Sequence, residues 1–165
     1  MSQMKTAIVY SHSAKKTALV ANQIKAMASM KGIEDLNVDE LSVEKLMDYD
    51  RLIIGVSTWF DGELPRNWDE LVPAIEDLNF KNKKVAIFGN GNQVGYPENF
   101  GDAVGIMADL FESLGAEIIG KTSIEGYTFE ASRALRGKFL AGLVLDFENQ
   151  HQLNEERIKK WVNGL

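Results

Sequence analysis

Cysteine is absent from this chain of 165 residues, and histidine occurs only twice. A disulfide framework, a zinc–thiolate site, an iron–sulfur cluster and a thiol nucleophile are therefore excluded. His12 and His151 lie far apart in the sequence, and neither has a second ligand at metal-binding spacing, so we expect neither to bind a metal. Redox chemistry would need a bound organic cofactor or a metal with other ligands.

Basic residues and long apolar runs are also scarce. Lys and Arg number 18 against 24 Asp and Glu, which gives a net charge of -6. A polyanionic partner needs a field of the opposite sign, so nucleic acid and anionic membranes are disfavoured. Apolar runs such as 7–10 and 52–54 are far shorter than the ~20 residues of a membrane span. The first residues lack the apolar region of a signal peptide, so we expect a cytoplasmic protein.

Short runs of β-branched and other apolar residues alternate with helical patterns along the chain. Strands are predicted at 5–10, 35–38, 51–57, 84–89 and from 117, with a strand-like run resuming at 143–145. Helices are predicted at 15–30, from 42, at 68–75, at 100–114 and from 154. Such alternation is typical of a parallel sheet with crossover helices. At roughly 150 residues per domain, one domain is expected.

Three places in this pattern are irregular. Pro73 lies inside the third helical segment, where its missing N–H is expected to bend or split the helix. Asn154 precedes two glutamates and is expected to cap the last helix. Residues 121–138 show no strong period, and a stretch of that length inside a compact domain is usually functional or an insertion.

The loops that leave strands one, three and four are the candidate binding loops, because ligands of an open parallel sheet bind beyond the carboxyl ends of its strands. The first loop, 11–17, reads SHSAKKT and leads into a helix N-terminus, where free backbone N–H groups favour an anion. Helix capping by its hydroxyls is the alternative. A nucleotide-triphosphatase loop is disfavoured, because Tyr10 and Lys15 occupy the positions of its two glycines.

Each of the other two loops contains a large aromatic residue, Trp59 in 57–65 and Tyr96 in 89–96. Either each ring packs back onto the domain, or the two rings flank a planar ligand. Asp146 is interpreted, together with the nearby Glu148, as part of a solvated loop face rather than as a metal ligand or an acid–base group. The motif G-x-S-x-G is absent, which excludes a nucleophile elbow.

Four stretches of the chain resemble the flavodoxins, in particular those of the long-chain type. They are 49–69, which reads YDRLIIGVSTWFDGELPRNWD, 80–102, which contains GNGNQVGY, 126–132 and 146–161. The resemblance implies an α/β fold with a doubly wound five-stranded parallel sheet of order 2-1-3-4-5, helices on both faces and an insertion at about 121–142. It also implies a monomeric, low-potential carrier of single electrons with one noncovalent FMN. Such a carrier has no enzymatic reaction of its own, and its partners are redox proteins, a reductase and acceptor enzymes.

By position, the resemblance implies that Trp59 and Tyr96 would sandwich the flavin ring. The backbone of 60–62 would face the flavin N5, and a carbonyl there would accept the N5 hydrogen. Residues 11–17 and Thr58 would hold the phosphate. The expected FMN contacts are Ser11, His12, Ser13, Ala14, Lys15, Lys16, Thr17, Ser57, Thr58, Trp59, Phe60, Asp61, Gly62, Gly89, Asn90, Gly91, Asn92, Gln93, Tyr96, Asn99 and Asp146.

Two features depart from the family pattern. Ala14 and Lys15 stand where the family's phosphate loop has Thr and Gly, so one hydroxyl is missing and Lys15 would be strained if its position needed a positive φ. Asn92 stands where the family often has Asp, which removes one negative charge beside the flavin. Two alternatives stay open: a flavodoxin-like domain with weak or no FMN binding that acts through protein contacts, and an FMN-dependent quinone or nitro reductase.

Overall fold

A central parallel sheet forms the frame of the computed structural model, which describes residues 4–59 and 62–165. The strands in chain order are β1 (Thr6–Tyr10), β2 (Glu34–Asn37), β3 (Arg51–Val56), β4 (Lys84–Asn90), β5 (Glu117–Ile119), β6 (Thr122–Ser123), β7 (Leu135–Arg136), β8 (Phe139–Leu140) and β9 (Leu143–Leu145). The sheet order is β2-β1-β3-β4-β5, and each of these neighbouring pairs is parallel. The predicted strand order is therefore confirmed.

The fifth position of the sheet is shared by two strands. β5 pairs with the first half of β4, at Lys84–Ala86, and β9 pairs with its second half, at Phe88–Asn90. Between β5 and β9 the chain forms a small antiparallel sheet of order β6-β8-β7. The stretch without a strong sequence period thus contains strands of two residues, which are too short to give one.

The helices α1 (Lys15–Lys25), α2 (Arg66–Glu76), α3 (Asp102–Ser113) and α4 (Asn154–Asn163) cover both faces of the sheet. Ile24 of α1 and Trp161 of α4 belong to one buried cluster, whereas Trp68 of α2 and Met107 of α3 belong to the other. The residues of β1 are all buried between the two layers, which explains their continuous apolar sequence. None of the helices in the described ranges is long and apolar enough to cross a membrane.

Three local predictions need correction. Helix α2 continues through Pro73, so the predicted split is wrong, whereas the predicted bend stays a prediction; Pro73 is exposed, and water can satisfy the carbonyl that loses its N–H donor. Asn154 does not cap α4: it is the first helical residue, the cap position is Leu153, and the buried Oδ1 of Asn154 has no hydrogen-bond partner in the described residues. The short helix expected from Ser42 is a 3-10 helix, Val43–Asp48.

Candidate cofactor site

Two adjoining cavities open at the carboxyl ends of β1, β3 and β4. The loop cavity, of about 740 Å³, surrounds the loop 11–17, and the aromatic cavity, of about 450 Å³, lies between Trp59 and Tyr96. The predicted residues lining the loop cavity are Ser11, Ser13, Ala14, Lys15, Lys16, Thr17, Ser57, Trp59 and Asn90. Those lining the aromatic cavity are Lys16, Thr58, Trp59, Asn90, Gly91, Asn92, Tyr96 and Asn99. Three lining residues are common to both, so one elongated ligand can occupy the two cavities together.

The remaining predicted residues lie elsewhere. His12, Gly62, Gly89, Gln93 and Asp146 line neither cavity. Phe60 and Asp61 lie outside the described residues, so their expected backbone contact with the flavin stays a prediction.

The loop 11–17 is held by a carboxylate that the sequence reasoning missed, Asp39. The hydroxyls of Ser11 and Ser13 donate to Asp39 Oδ2 over 2.6 and 3.4 Å, and Asn67 Nδ2 donates to Asp39 Oδ1 over 2.7 Å. The hydrogen bonds from Asn67 and Ser11 lower the pKa of Asp39, so this carboxylate stays ionised. The predicted strand order could have identified Asp39. Because β2 lies beside β1, the residues that follow β2 must lie near the loop 11–17, which follows β1.

Helix α1 begins at Lys15 without a side-chain cap. The cap position is Ala14, whose side chain has no hydrogen-bonding group, and Ser11 and Ser13 donate to Asp39 instead. The alternative of hydroxyl capping is therefore wrong, and the first-turn N–H groups are left for an anion. Lys15 has helical backbone angles, and Asn82 is the one non-glycine residue with positive φ in the described ranges. The backbone strain that a positive φ would cause at Lys15 is therefore absent.

Lys16 lies between the two cavities. Its Nζ forms an ion pair with Glu148 and lies 5.7 Å from the ring centroid of Phe147. These contacts tie the first turn of α1 to the loop that follows β9. Lys16 therefore brings a positive charge to the border of the loop cavity, although part of that charge is balanced by Glu148.

His12 turns away from both cavities. Its Nε2 lies 2.5 Å from Asp35 Oδ1, and Asp35 Oδ2 accepts hydrogen bonds from the Tyr10 hydroxyl, over 2.6 Å, and from Lys25. Burial alone would raise the pKa of Asp35, but the hydrogen bonds from Lys25, Tyr10 and His12 outweigh it and hold this pKa below its ordinary value. His12 thus anchors the loop to β2 by its side chain.

Two half-exposed rings form the walls of the aromatic cavity. Trp59 is 47% exposed and Tyr96 is 53% exposed, so neither ring packs into the core. Backbone hydrogen bonds hold both positions: Trp59 and Glu63 exchange two, of 2.8 and 2.7 Å, and Tyr96 N donates to Asn92 O over 2.9 Å. Large rings left exposed on either side of a cavity are suited to a planar ligand.

Close backbone approach explains the glycines around these loops. A Cβ at Gly91 would lie 2.6 Å from the Phe100 ring, and one at Gly89 would lie 2.5 Å from the Val56 carbonyl oxygen. Gly62 has a φ of +86°, and its Cβ would lie 2.3 Å from Asp102 Oδ2. Gly62 and Gly89 are therefore required for packing, whereas Gly91 also borders the aromatic cavity.

Asp146 and Gln93 form a buried link between loops. Asp146 is 0% exposed and accepts hydrogen bonds from Gln93 N, over 3.1 Å, from Gln93 Nε2, over 2.9 Å, and from Asn149. Burial alone would raise its pKa, but these donors outweigh burial and lower it. Interpreting Asp146 as part of a solvated face is wrong: its charge orients the loop 89–96. In the described ranges, no group of three acidic, histidine or cysteine residues could hold a metal.

Thr58 and Asn99 connect the aromatic cavity to α3. Thr58 Oγ1 accepts a hydrogen bond from Ala103 N over 3.2 Å, and Asn99 Nδ2 donates to Asp102 Oδ2 over 3.1 Å. The donor set of the whole site is an uncapped helix N-terminus with two lysines, followed by two rings and polar loop groups. This set fits a ligand with an anionic group at one end and a planar ring at the other.

Comparison with known proteins agrees with this geometry. The model of the Flavodoxin family matches residues 8–161. A flavodoxin of Synechococcus elongatus is 42% identical over 150 residues, which cover 90% of this chain and 88% of that protein. A flavodoxin of a Nostoc species is 39% identical over 161 residues, which cover 98% and 95%. The crystal structure of Fusobacterium nucleatum flavodoxin bound to flavin mononucleotide superposes with a TM-score of 0.91 at 26% identity, covering 98% of this chain and 96% of that one. The chain belongs to the flavodoxin family.

Proposed function

We propose that this flavodoxin carries single electrons at low potential on one noncovalently bound FMN, between a reductase and acceptor proteins. As a flavodoxin it is an electron-transfer flavoprotein rather than an enzyme. The observation that carries the proposal is the adjoining pair of cavities, one at an uncapped helix N-terminus and one between two half-exposed rings. The Fusobacterium nucleatum flavodoxin bound to FMN has the same fold.

We propose that each cavity binds a different part of FMN. In the loop cavity, the N–H groups at the start of α1, together with Lys15 and Lys16, would hold the phosphate. In the aromatic cavity, Trp59 and Tyr96 would cover the two faces of the ring and keep water from them. Residues 90–92 would contact the ring edge. Bound FMN supplies a ring that accepts and releases electrons one at a time.

The chain sets the energy of added electrons by charge and by exclusion of water. Glu148 and Lys16 both line the aromatic cavity and form an ion pair, so together they add little net charge there. The net charge of -6 makes an extra negative charge in this cavity less favourable, which lowers the reduction potential. The backbone of Glu63 exchanges two hydrogen bonds with that of Trp59, and the negative charge of Glu63 acts in the same direction. Because both rings are partly exposed, a partner protein can approach the site without any opening of the fold.

An absorption spectrum of the purified chain, recorded with and without added FMN, tests the proposal. We expect one flavin per chain to remain bound through gel filtration. A colourless chain that acquires no flavin when FMN is added would favour action through protein contacts. Rapid oxidation of NADH or NADPH by the flavin-loaded chain, without a partner reductase, would favour the quinone or nitro reductase.

We also propose that the chain is a monomer of one domain, 1–165, with its insertion at about 121–142, and that it acts in the cytoplasm. The continuous parallel sheet and the small antiparallel sheet within residues 122–140 support the domain and the insertion. Light scattering after gel filtration tests the oligomeric state, with a mass near 18.4 kDa as the expected result. Fractionation of the host cell tests the compartment.

A further inference from the structure

A third cavity lies between α4 and the small antiparallel sheet. Its volume is about 590 Å³, and none of its lining residues lines the loop cavity or the aromatic cavity. Sites for small organic ligands typically have volumes of about 300–1,000 Å³. This α4 cavity is thus large enough for a small organic molecule and independent of the proposed FMN site.

Aromatic side chains from two elements form the walls of the α4 cavity. Trp161 and Gly164 lie on one face of α4 or just beyond its end, and Tyr127 and Phe139 face them from the small sheet and its loop. The Trp161 indole is fixed by a hydrogen bond from Nε1 to the Gly120 carbonyl oxygen, of 2.7 Å. Phe139 is 49% exposed although it borders a cavity. A ligand with a planar apolar body would cover this surface.

The charge at the α4 cavity is opposite to that of the whole chain. Lys121, Arg157 and Lys160 line it against one carboxylate, Glu125, whereas the chain carries a net charge of -6. Neither lysine forms an ion pair within the described residues. The local field therefore favours an anionic ligand.

Arg157 is the most firmly held of these cations. Its Cζ lies 4.1 Å from the ring centroid of Tyr127, and its Nη1 donates to Gln150 Oε1 over 2.9 Å. A guanidinium has five N–H donors in a fixed plane, so this orientation leaves others for a carboxylate. Preorganised donors of this kind distinguish a binding site from a surface lysine cluster.

Three glycines line the α4 cavity. Gly120 and Gly126 have φ values of +79° and +91°, and a Cβ at Gly120 would lie 2.7 Å from Trp161 Nε1. Gly164 has an ordinary φ of -91°, and its Cβ would meet nothing closer than 3.5 Å. A larger side chain at Gly164 can therefore be introduced without backbone strain, and it would occupy cavity space.

We propose that the α4 cavity binds a small aromatic carboxylate. The carboxylate lies on the cationic side formed by Lys121, Arg157 and Lys160, and the ring lies against the aromatic walls. Such a ligand satisfies both the charge and the apolar surface of the cavity. It occupies a site separate from that proposed for FMN, so its binding does not depend on the flavin.

Titration of the ¹⁵N-labelled full chain with 2-naphthoate, in the presence of saturating FMN, tests this proposal. The chain has three tryptophans, of which Trp161 reports on the α4 cavity and Trp59 on the aromatic cavity. We expect a saturable shift of the Trp161 indole N–H signal and an unchanged Trp59 signal. The uncharged 2-naphthamide should bind about 10-fold more weakly, because it forms no charge-assisted hydrogen bond. A shift at Trp59 alone, no shift at all, or equal affinity for the two compounds would overturn the proposal.

Two variants and a matched control locate the binding. Lys160→Glu should weaken 2-naphthoate binding about 10-fold. Lys31→Glu changes the net charge equally at an exposed residue outside the cavity and should leave binding unchanged. Gly164→Phe should reduce binding at least about 10-fold by filling the cavity. Equal weakening by Lys160→Glu and Lys31→Glu, or unchanged binding by Gly164→Phe, would contradict the assignment.

Discussion

The loop cavity and the aromatic cavity adjoin, but different interactions hold their walls. Charged side chains fix the loop cavity, through the contacts of Asp39 with Ser11 and of Lys16 with Glu148. Backbone hydrogen bonds place the two rings of the aromatic cavity, through the isolated bridge between Trp59 and Glu63 and the turn before Tyr96, while the buried Asp146 holds the loop 89–96. The comparison indicates that binding in the loop cavity should respond to salt, pH and phosphate charge, whereas stacking in the aromatic cavity should not.

The largest effect is expected from removing both lysines of the loop cavity, as Lys15→Ala with Lys16→Ala. Charge-assisted contacts contribute about 1.5–3 kcal/mol each, so FMN binding should weaken by about 2–4 kcal/mol, part of Lys16 being balanced by Glu148. Riboflavin has no phosphate and should be affected much less. Calorimetric titration with both ligands measures this.

The control for that experiment is Lys31→Ala with Lys81→Ala, which removes the same charge from two exposed residues outside both cavities. It should change FMN affinity little. If the Lys15 and Lys16 variant weakened FMN and riboflavin equally, these lysines would have no role at the phosphate, and action without FMN would become the better interpretation.

Trp59→Ala tests the other cavity. Loss of one stacking face should weaken binding by about 1–3 kcal/mol, for FMN and riboflavin alike. Tyr96→Phe keeps its ring and serves as the conservative comparison. Fluorescence quenching of each flavin by the protein measures both affinities. An unchanged affinity in Trp59→Ala, or a loss confined to FMN, would contradict the assignment of ring and phosphate to separate cavities.

Asn92→Asp adds a charge beside the aromatic cavity while keeping the acceptor that the loop needs. Asn92 Oδ1 accepts from Gly95 N over 2.7 Å and from Asn149 Nδ2 over 2.8 Å, and a carboxylate can do the same. At some 6 Å the added charge should disfavour the second electron by about 1–3 kcal/mol, or ~40–130 mV. Potentiometric titration of the flavin-loaded protein measures this shift.

Asn79→Asp is the matched control, because Asn79 also accepts a backbone hydrogen bond in an exposed turn, from Lys81 N over 2.9 Å, but lines neither cavity. The reduction potential for the second electron in Asn79→Asp should remain close to that of the unaltered chain. A higher potential in Asn92→Asp, or equal shifts in the two variants, would show that the loop 89–96 does not border the flavin ring.

The smallest effect concerns pH. The pKa of Asp39 is lowered in the folded chain, so its stabilisation is fully present above the ordinary value of 3.8 and is lost as pH falls through the lowered pKa. Asp39→Asn should therefore lower the free energy of unfolding near neutral pH, with a smaller difference near pH 3. Urea unfolding of both proteins at the two pH values measures this. A difference that grows on acidification would exclude the assigned hydrogen bonds.

Local patterns predicted much of the fold. The continuous apolar runs of β1, β3 and β4 identified the buried parallel strands, and the resemblance supplied their order. The antiparallel sheet at 122–140 was missed, because strands of two residues give no detectable alternation. Strand pairing between residues that are distant in the sequence leaves no periodic pattern in the sequence nearby, so it could not be predicted from local patterns.

The candidate site was predictable where it lies in loops directly after strands. Trp59 and Tyr96 were found because a large ring in a polar loop is conspicuous. The roles of Asp39 and Asp146 were missed, because each depends on a distant partner. Ser11 is 28 positions from Asp39, and Gln93 is 53 positions from Asp146. An isolated Asp in a sequence resembles a solvated charge until the topology shows its donors.

In the proposed complex, the loop cavity holds the phosphate of one FMN and the aromatic cavity holds its ring. Dissociation constants of FMN and riboflavin for the unaltered chain, measured at low and high salt, test it most directly. We expect one site per chain, FMN binding at least about 10-fold tighter than riboflavin at low salt, and a smaller preference at high salt. Equal affinity for the two flavins at both salt concentrations, or binding of neither, would contradict it.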